Sequence, residues 1–270
     1  MSDRRRARLG IIFGVLGLLG LAGLAYSLAW PRTSEEILAS PSIRHWFGTD
    51  LAGNDVLRQT LEASCIAVLT ILVVAVGVYL GGLALGILVS YAESRLLREL
   101  LLNVVHYWLT LPILLIATFV LVLVGAGQVN VILILTFVLI PSQALYVYNR
   151  FAEAAKQDFV LAKRSLGFSK AQIYLRQMFP YVQRSLNTYT LSRLPEILIM
   201  DIAFNFLGLG VQPPHASFGR LLFDGLPFMF SAWWIWALPS VSAATVVVFL
   251  AFSPMTRNAT SEVARNVEGV

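Results

Sequence analysis

Arg150–Arg184 reads RFAEAAKQDFVLAKRSLGFSKAQIYLRQMFPYVQR, a charged island between long apolar runs. It carries seven Lys/Arg and two acids, whereas the preceding stretch Leu100–Asn149 has no Asp, Glu, Lys or Arg. A basic segment placed between membrane spans is expected on the cytoplasmic side. Phe159, Ala162, Leu166, Ile173 and Met178 recur at helical spacing, Gly167 interrupts them, and Pro180 is expected to close the pattern. The segment therefore predicts a short helix–turn–helix presented for docking.

The rest of the chain fits an integral membrane protein. It is 57% hydrophobic and 13% charged, against about 25% charged in soluble domains. Its net charge of +5 does not point to nucleic acid, because the basic residues sit where the positive-inside rule places them. The single cysteine, Cys65, excludes an internal disulfide and a multi-cysteine metal site. His45, His106 and His215 are too scattered to suggest a metal centre, and no metal ligands are assigned.

Apolar runs of about 20 residues mark candidate spans. They are Leu9–Trp30, Ala63–Ala92, two within Leu100–Asn149 separated at Gly125–Asn130, Leu186–Leu209, and Trp233–Phe252. Six spans place both termini on one side, and that side carries fifteen basic residues against four, so both termini are expected in the cytoplasm. The first apolar run is about 22 residues, longer than the 7–15 or so of a cleaved signal peptide, which favours a retained anchor. The expected organisation is 1–30 as tail and first helix, 31–62 as an external segment with an amphipathic helix before span two, 63–252 as a five-helix core containing the 150–184 loop, and 253–270 as a cytoplasmic tail. Neither an internal repeat nor a low-complexity linker is evident.

Four patches resemble the inner-membrane permease subunits of ATP-binding-cassette importers, in the oligopeptide/dipeptide/nickel group, across roughly 43–250. HWFGTDLAGNDVL (His45–Leu57) resembles the external H-x-x-G-T-D-x-x-G-R-D-V signature, with Asn54 where the family usually has Arg. Ser64 and Cys65 stand near a usual small-residue/Arg pair. DFVLAKRSLGFSKAQIYLRQMFP (Asp158–Pro180) is similar to the family's EAA loop, although Leu161 replaces its acid and Lys163 an alanine. DIAFNFLGLGVQPPHASFGRLLFDG (Asp201–Gly225) is the most specific match, and Leu111–Pro112 the weakest. LYVYNR (Leu145–Arg150) lacks the family's usual arginines, and its usual G-D-x-L-R-D motif is missing after Phe252.

The resemblance implies an all-α, six-span, type I importer permease with a cytoplasmic coupling-helix loop, in a bacterial inner membrane. It implies that Ala162, Lys163, Arg164, Leu166, Gly167, Phe168 and Ser169 couple to an ATPase. Gly48, Asp50, Asp55, Gln212, Pro213, Pro214 and Asp224 would form an external gate or a docking surface for a binding protein; a rigid turn is the alternative for the prolines. Partners would be a second homologous permease, two ATPases carrying ATP and magnesium, the binding protein and membrane lipid, with no nucleic acid. The expected cargo is peptide, with nickel, metallophore or opine as alternatives. No cofactor is assigned to this chain, and no catalytic residue: there is no G-x-x-x-x-G-K-[ST] phosphate loop, no H-E-x-x-H and no G-x-S-x-G. A secondary transporter and an intramembrane enzyme are the other classes, and neither a repeat nor a motif supports them.

Within the fifth candidate span, Arg193, Glu196, Asp201 and Asn205 share one face; the first three fit an arc of about 140° at 100° per residue. They either line a polar path or form internal pairs, Arg193–Glu196 among them. Asp201 has no local cation in the sequence, so water, substrate or a partner helix is expected to satisfy it. Pro195 either kinks this helix or begins it. Gly77, Gly81, Gly82 and Gly86 form two small-xxx-small pairs suited to close helix contact.

Overall fold

Residues 36–252 are described by the structure, a computed structural model. The expected first span, Leu9–Trp30, and the tail after Phe252 lie outside them. Among the described residues there is no strand, only an isolated bridge between Thr49 and Asp55. The helices are α1 (Val56–Tyr91), α2 (Arg95–Thr110), α3 (Ile113–Val124), α4 (Gln128–Ala154), α5 (Asp158–Ser165), α6 (Phe179–Ser192), α7 (Leu194–Phe206), α8 (Phe218–Gly225) and α9 (Trp234–Phe252). Helices α1, α4 and α9 are each long and apolar enough to cross a membrane, and α2 with α3 make a fourth candidate bent by 86°.

The chain divides into two compact units. The first holds 36–73, 118–133 and 195–251 of the described residues, and its satellite core packs Val56 against Ala232, Trp234 and Ile235. The second holds 74–117 and 134–194, with Val147, Phe151, Val160, Met178 and Leu186 buried together.

Several boundaries differ from the expectation for physical reasons. The segment before span two is no separate amphipathic helix. Asp55 Oδ1 accepts from the Arg58 backbone N–H at 3.0 Å and caps α1 at Val56, and no Pro interrupts the chain up to Tyr91. At 36 residues, α1 is about 54 Å long, well beyond the roughly 30 Å of a hydrocarbon core. The third candidate span breaks at Leu111, which takes φ −76° and ψ 141°; a following proline disfavours the helical basin there. Pro180 does not close the loop's helical pattern. Lys170–Gln172 starts a helix that slips into π geometry over Ile173–Met178 and continues as α6 with Pro180 in its first turn. The wider turn carries the chain past a residue without an N–H donor. The fifth candidate span is two helices, with Arg193 as the C-cap of α6 and α7 starting at Leu194. Pro195 therefore stands in a first turn, which resolves the kink-or-start alternative.

In the second unit the glycines of α1 meet α4 closely. A Cβ on Gly77 would lie 2.7 Å from Thr136 Cγ2, and one on Gly86 2.5 Å from Val147 Cβ. Gly82 leaves room for Gln143 in the same way. The small residues thus replace side-chain bulk with backbone proximity, the packing mode of helices that lack a hydrophobic drive between them. We predict that Gly86→Val, measured by thermal unfolding of the detergent-purified protein, destabilises it by about 1–3 kcal/mol through overpacking. An unchanged melting temperature would show that the α1–α4 contact is loose.

Candidate functional site

The hairpin from α5 to Lys170 is encoded locally. Leu166 ends α5, Gly167 takes φ +81°, and the Gly167 and Phe168 amides donate to Arg164 and Lys163 carbonyls at 3.0 and 3.2 Å. This is a Schellman closure, for which glycine is the low-strain residue. Two residues on, Ser169 Oγ accepts from the Gln172 amide at 3.3 Å while Gln172 Oε1 accepts from the Ser169 amide at 3.0 Å. That reciprocal capping box fixes the next helix start. Lys163 Nζ lies 4.7 Å from the Phe168 ring centroid.

This hairpin is tied to the end of α1, within the same unit. Lys170 Nζ donates to the Tyr91 carbonyl at 2.6 Å and stands 4.2 Å from the Tyr91 ring centroid. Tyr174 Oη donates to the Ser90 carbonyl at 2.9 Å. Burial raises the Tyr174 pKa above its ordinary value. Two carbonyls that a helix end leaves without intrahelical partners are thereby satisfied. The apolar stripe behaves differently from the sequence expectation. Val160, Ile173, Tyr174 and Met178 are buried, Phe159 is half-buried, and Ala162 and Leu166 face outward with Leu161 and Phe168. Arg164 and Ser169 are also exposed, and Lys163 is half-buried. The hairpin thus offers a small apolar surface beside two cationic groups.

Arg193 belongs to the same unit. Its Nη1 donates to Tyr189 Oη at 3.1 Å; Tyr189 stacks on Tyr146 at 3.9 Å, and Arg150 lies 5.0 Å from the Tyr146 centroid. Alternating cations and rings hold Arg193, a mode available to guanidinium groups.

In the first unit, a polar cluster centres on Gln128. Its Nε2 donates to Asp201 Oδ1 at 2.8 Å and to Thr70 Oγ1 at 2.6 Å. Asn205 Nδ2 donates to Asp201 Oδ1 at 3.1 Å, and Asn205 Oδ1 accepts from the Val211 amide at 2.7 Å. Asp201 and Asn205 are 3% and 2% exposed. Of the expected partners for Asp201, water, substrate or a partner helix, the structure supplies a helix of this same chain: Gln128 at the start of α4 donates to it, together with Asn205. Glu196 is half-buried.

The GTD stretch is also locked inside this unit. Gly48 has φ +71°, and a Cβ there would meet the Ala39 carbonyl oxygen at 2.5 Å and Trp234 Cδ1 at 2.7 Å. Trp234 Nε1 donates to the Thr49 carbonyl at 3.2 Å. Asp55 is 3% exposed and pairs with His45 Nδ1 at 2.8 Å. Gly48 and Asp55 are both buried and help to hold this segment in place. Gln212 turns back, donating to the Gly208 and Gly210 carbonyls at 3.1 and 3.0 Å. Asp50, Asp55, Pro213, Pro214 and Asp224 converge on one cleft of about 730 Å³. Among the described residues, no three His, Cys, Asp or Glu side chains group as metal ligands.

The sequence reading missed Gln128, which it used only to mark a break, and Thr70, Tyr174 and Arg58. A lone amide at the edge of an apolar run is a legible signal of a buried partner. The pairing of Lys170 and Tyr174 with the end of α1 carries no local signal.

The family described as binding-protein-dependent transport system inner membrane component matches residues 82–264, more than half of the chain. The chain is 29% identical over 195 residues to the dipeptide transport system permease protein DppC of Bacillus subtilis (strain 168), covering 72% of this chain and 61% of that protein. It is 24% identical over 211 residues to the DppC protein of Alkalihalophilus pseudofirmus, covering 78% and 69%. A chain of the MetNI methionine ABC transporter in inward-facing conformation superposes with TM-score 0.58 at 18% identity, over 76% of this chain and 95% of that one. That likeness shows a shared fold.

The Gln128 cluster gives a direct test. We predict that Gln128→Leu lowers stability by about 1–3 kcal/mol, because it strips donors from a buried carboxylate. Asp201→Leu added to it recovers part of that loss, while Asp201→Asn, which keeps an accepting oxygen, costs less than Gln128→Leu. Thermal unfolding of the three variants checks the order.

Proposed function

Because the chain belongs to the family of binding-protein-dependent transport system inner membrane components, we propose that it is the permease subunit of an ATP-binding-cassette importer for peptides. The α5–Gly167–Lys170 hairpin is the observation that carries the reading. It is a rigid, capped turn with exposed Leu161, Leu166 and Phe168 beside Lys163 and Arg164, fastened to the end of a long apolar helix. A hairpin so built suits the transmission of a push from an ATPase to α1. Ala162, Lys163, Arg164, Leu166, Gly167, Phe168 and Ser169 form the contact. Peptide as cargo is supported by relatives named as dipeptide permeases.

In this reading six helices span a bacterial inner membrane with both termini and the 150–184 loop in the cytoplasm. ATP and magnesium act on two partner ATPases. A second, homologous permease completes the path, and an external binding protein delivers substrate. Arg193 and Glu196 line the path, while Asp201 and Asn205 brace its wall through Gln128. Gln212, Pro213, Pro214, Asp50 and Asp224 stand at the external mouth, over the framework built by Gly48 and Asp55.

Gly167 tests the coupling. A Cβ there meets nothing within 4 Å, so a substitution perturbs this chain only through the φ of +81°, a strain of about 1–2 kcal/mol for a non-glycine residue. Gly167→Trp should insert normally in the membrane but lose ATPase association or ATP-driven uptake, and Gly167→Asn should be milder. Co-purification and uptake assays read both. Full transport with normal ATPase association in Gly167→Trp would overturn the coupling role.

A further inference from the structure

The geometry points to α2 as an inclined half-span whose polar stripe lines a water-filled exit of the transport path, with Asn103, His106 and Thr110 as the groups offered to a peptide in transit. At 100° per residue this helix divides into three sectors. Leu101, Val105, Trp108 and Leu109 share one of them and are buried or half-buried against the unit. Leu96, Leu97, Leu100, Val104 and Tyr107 fall within about 100° of arc and are 50% to 73% exposed. Arg95, Glu99, Asn103, His106 and Thr110 fall within about 80° on the other side and are exposed as well. An apolar and a polar surface thus run side by side along one helix, and no single surrounding suits both.

Contacts inside the second unit set the depth of the polar stripe. At 16 residues α2 is about 24 Å long, short of the roughly 30 Å of a hydrocarbon core. Its start is charged, with Arg95 and Arg98 in the first turn, and Lys170 of the hairpin reaches Glu93 just before it at 3.6 Å. Near its other end, Trp108 Nε1 donates to the Val138 carbonyl at 3.3 Å, and the indole meets Phe137 edge-on at 5.3 Å. Helix α4 carries no Asp, Glu, Lys or Arg before Arg150, which lies about 18 Å along it from Val138. Trp108 is therefore held near the middle of the apolar thickness, and the stripe descends from the charged surface to that depth. The Asn103 and His106 side chains make no hydrogen bond to a described residue, and Thr110 Oγ1 donates only to the Tyr107 carbonyl at 2.7 Å. Polar groups left open at such depth face a water-filled cavity rather than lipid; the apolar sector beside them meets acyl chains. An amide, an imidazole and a hydroxyl suit hydrogen bonds to a peptide backbone whatever its side chains. The peptide as occupant rests on the importer reading above; the wet stripe does not.

Cys65 is the single cysteine of the chain, so a Cys65→Ser background accepts cysteines one at a time. The test uses that complex, purified with its accompanying subunits in nanodiscs, and reads labelling of this chain by mass spectrometry. Asn103→Cys and His106→Cys should react with a sulfonated, membrane-impermeant thiosulfonate about tenfold or more faster than Leu100→Cys and Val104→Cys, because a hydrated thiol ionises and one in lipid does not. Rates are taken without nucleotide and with ATP and vanadate, and the faster state counts. Thr110→Cys replaces either polar variant that fails to assemble. In proteoliposomes, the same modification of His106→Cys should block ATP-driven uptake of radiolabelled glycyl-leucine. Slow labelling of the polar positions in both states means a stripe packed against a partner helix and overturns the inference. Equal, fast labelling of both sectors places α2 in the cytosol, and fast polar labelling with unchanged uptake places the stripe outside the path; either result overturns it. Uptake by the unmodified Cys65→Ser complex is scored separately: its failure counts against the importer reading, while the labelling pattern still decides whether the stripe is wet.

Discussion

Polar groups buried in apolar surroundings are largely satisfied by the chain itself, with Arg58 Nε and the Gln143 amide as exceptions among the described residues, and that constraint shapes both units. An unsatisfied backbone or amide group in hydrocarbon costs several kcal/mol, more than most single packing contacts contribute. In the first unit the Gln128 amide meets it by joining Thr70, Asp201 and Asn205, residues far apart in the sequence. In the second, Tyr174 satisfies the Ser90 carbonyl in a part-buried bond, and Lys170 donates to the exposed Tyr91 carbonyl beside it. Each solution also fixes a geometry, because a hydrogen bond specifies position where an apolar contact only specifies proximity.

That second solution links local encoding to mechanism. The turn at Gly167 and the capping box at Ser169 and Gln172 are read from neighbouring residues, so the hairpin's shape does not wait on distant packing. Its fastening to α1 is long-range, through two donors and the edge-on contact of Tyr91 with Tyr174 at 5.7 Å. A push on the exposed Leu166 and Phe168 would therefore reach α1 through stiff connections, and α1 would carry it along its glycine-lined contact with α4. In the importer reading, this is how ATP-driven motion in a partner would become motion of the path.

Much of the hairpin was legible because its signals are local: a basic island and a glycine interrupting residues at helical spacing. The long apolar helices were legible from composition. The boundaries were less so. Span two began earlier because Asp55 caps a helix that the apolar count could not see, and Pro180 was absorbed by a π-helical turn whose cause lies in backbone register. Leu111–Pro112 carried a bend where only a weak motif had been read. Asp201 was correctly singled out as an acid needing a partner, but the partner was Gln128, whose role depends on tertiary contact. The framework roles of Gly48 and Asp55 were hidden for the same reason, since Trp234 and His45 reach them only in the folded chain.

The central claim is that this chain moves substrate only when an ATPase drives it through the hairpin. Its most direct test is uptake of labelled peptide into proteoliposomes containing either the purified chain alone or the chain with its co-purified ATPases, second permease and binding protein. The account predicts accumulation for the full complex with ATP on the hairpin side, and none for the complex without ATP or for the chain alone. Accumulation by the chain alone, without ATP, would contradict it.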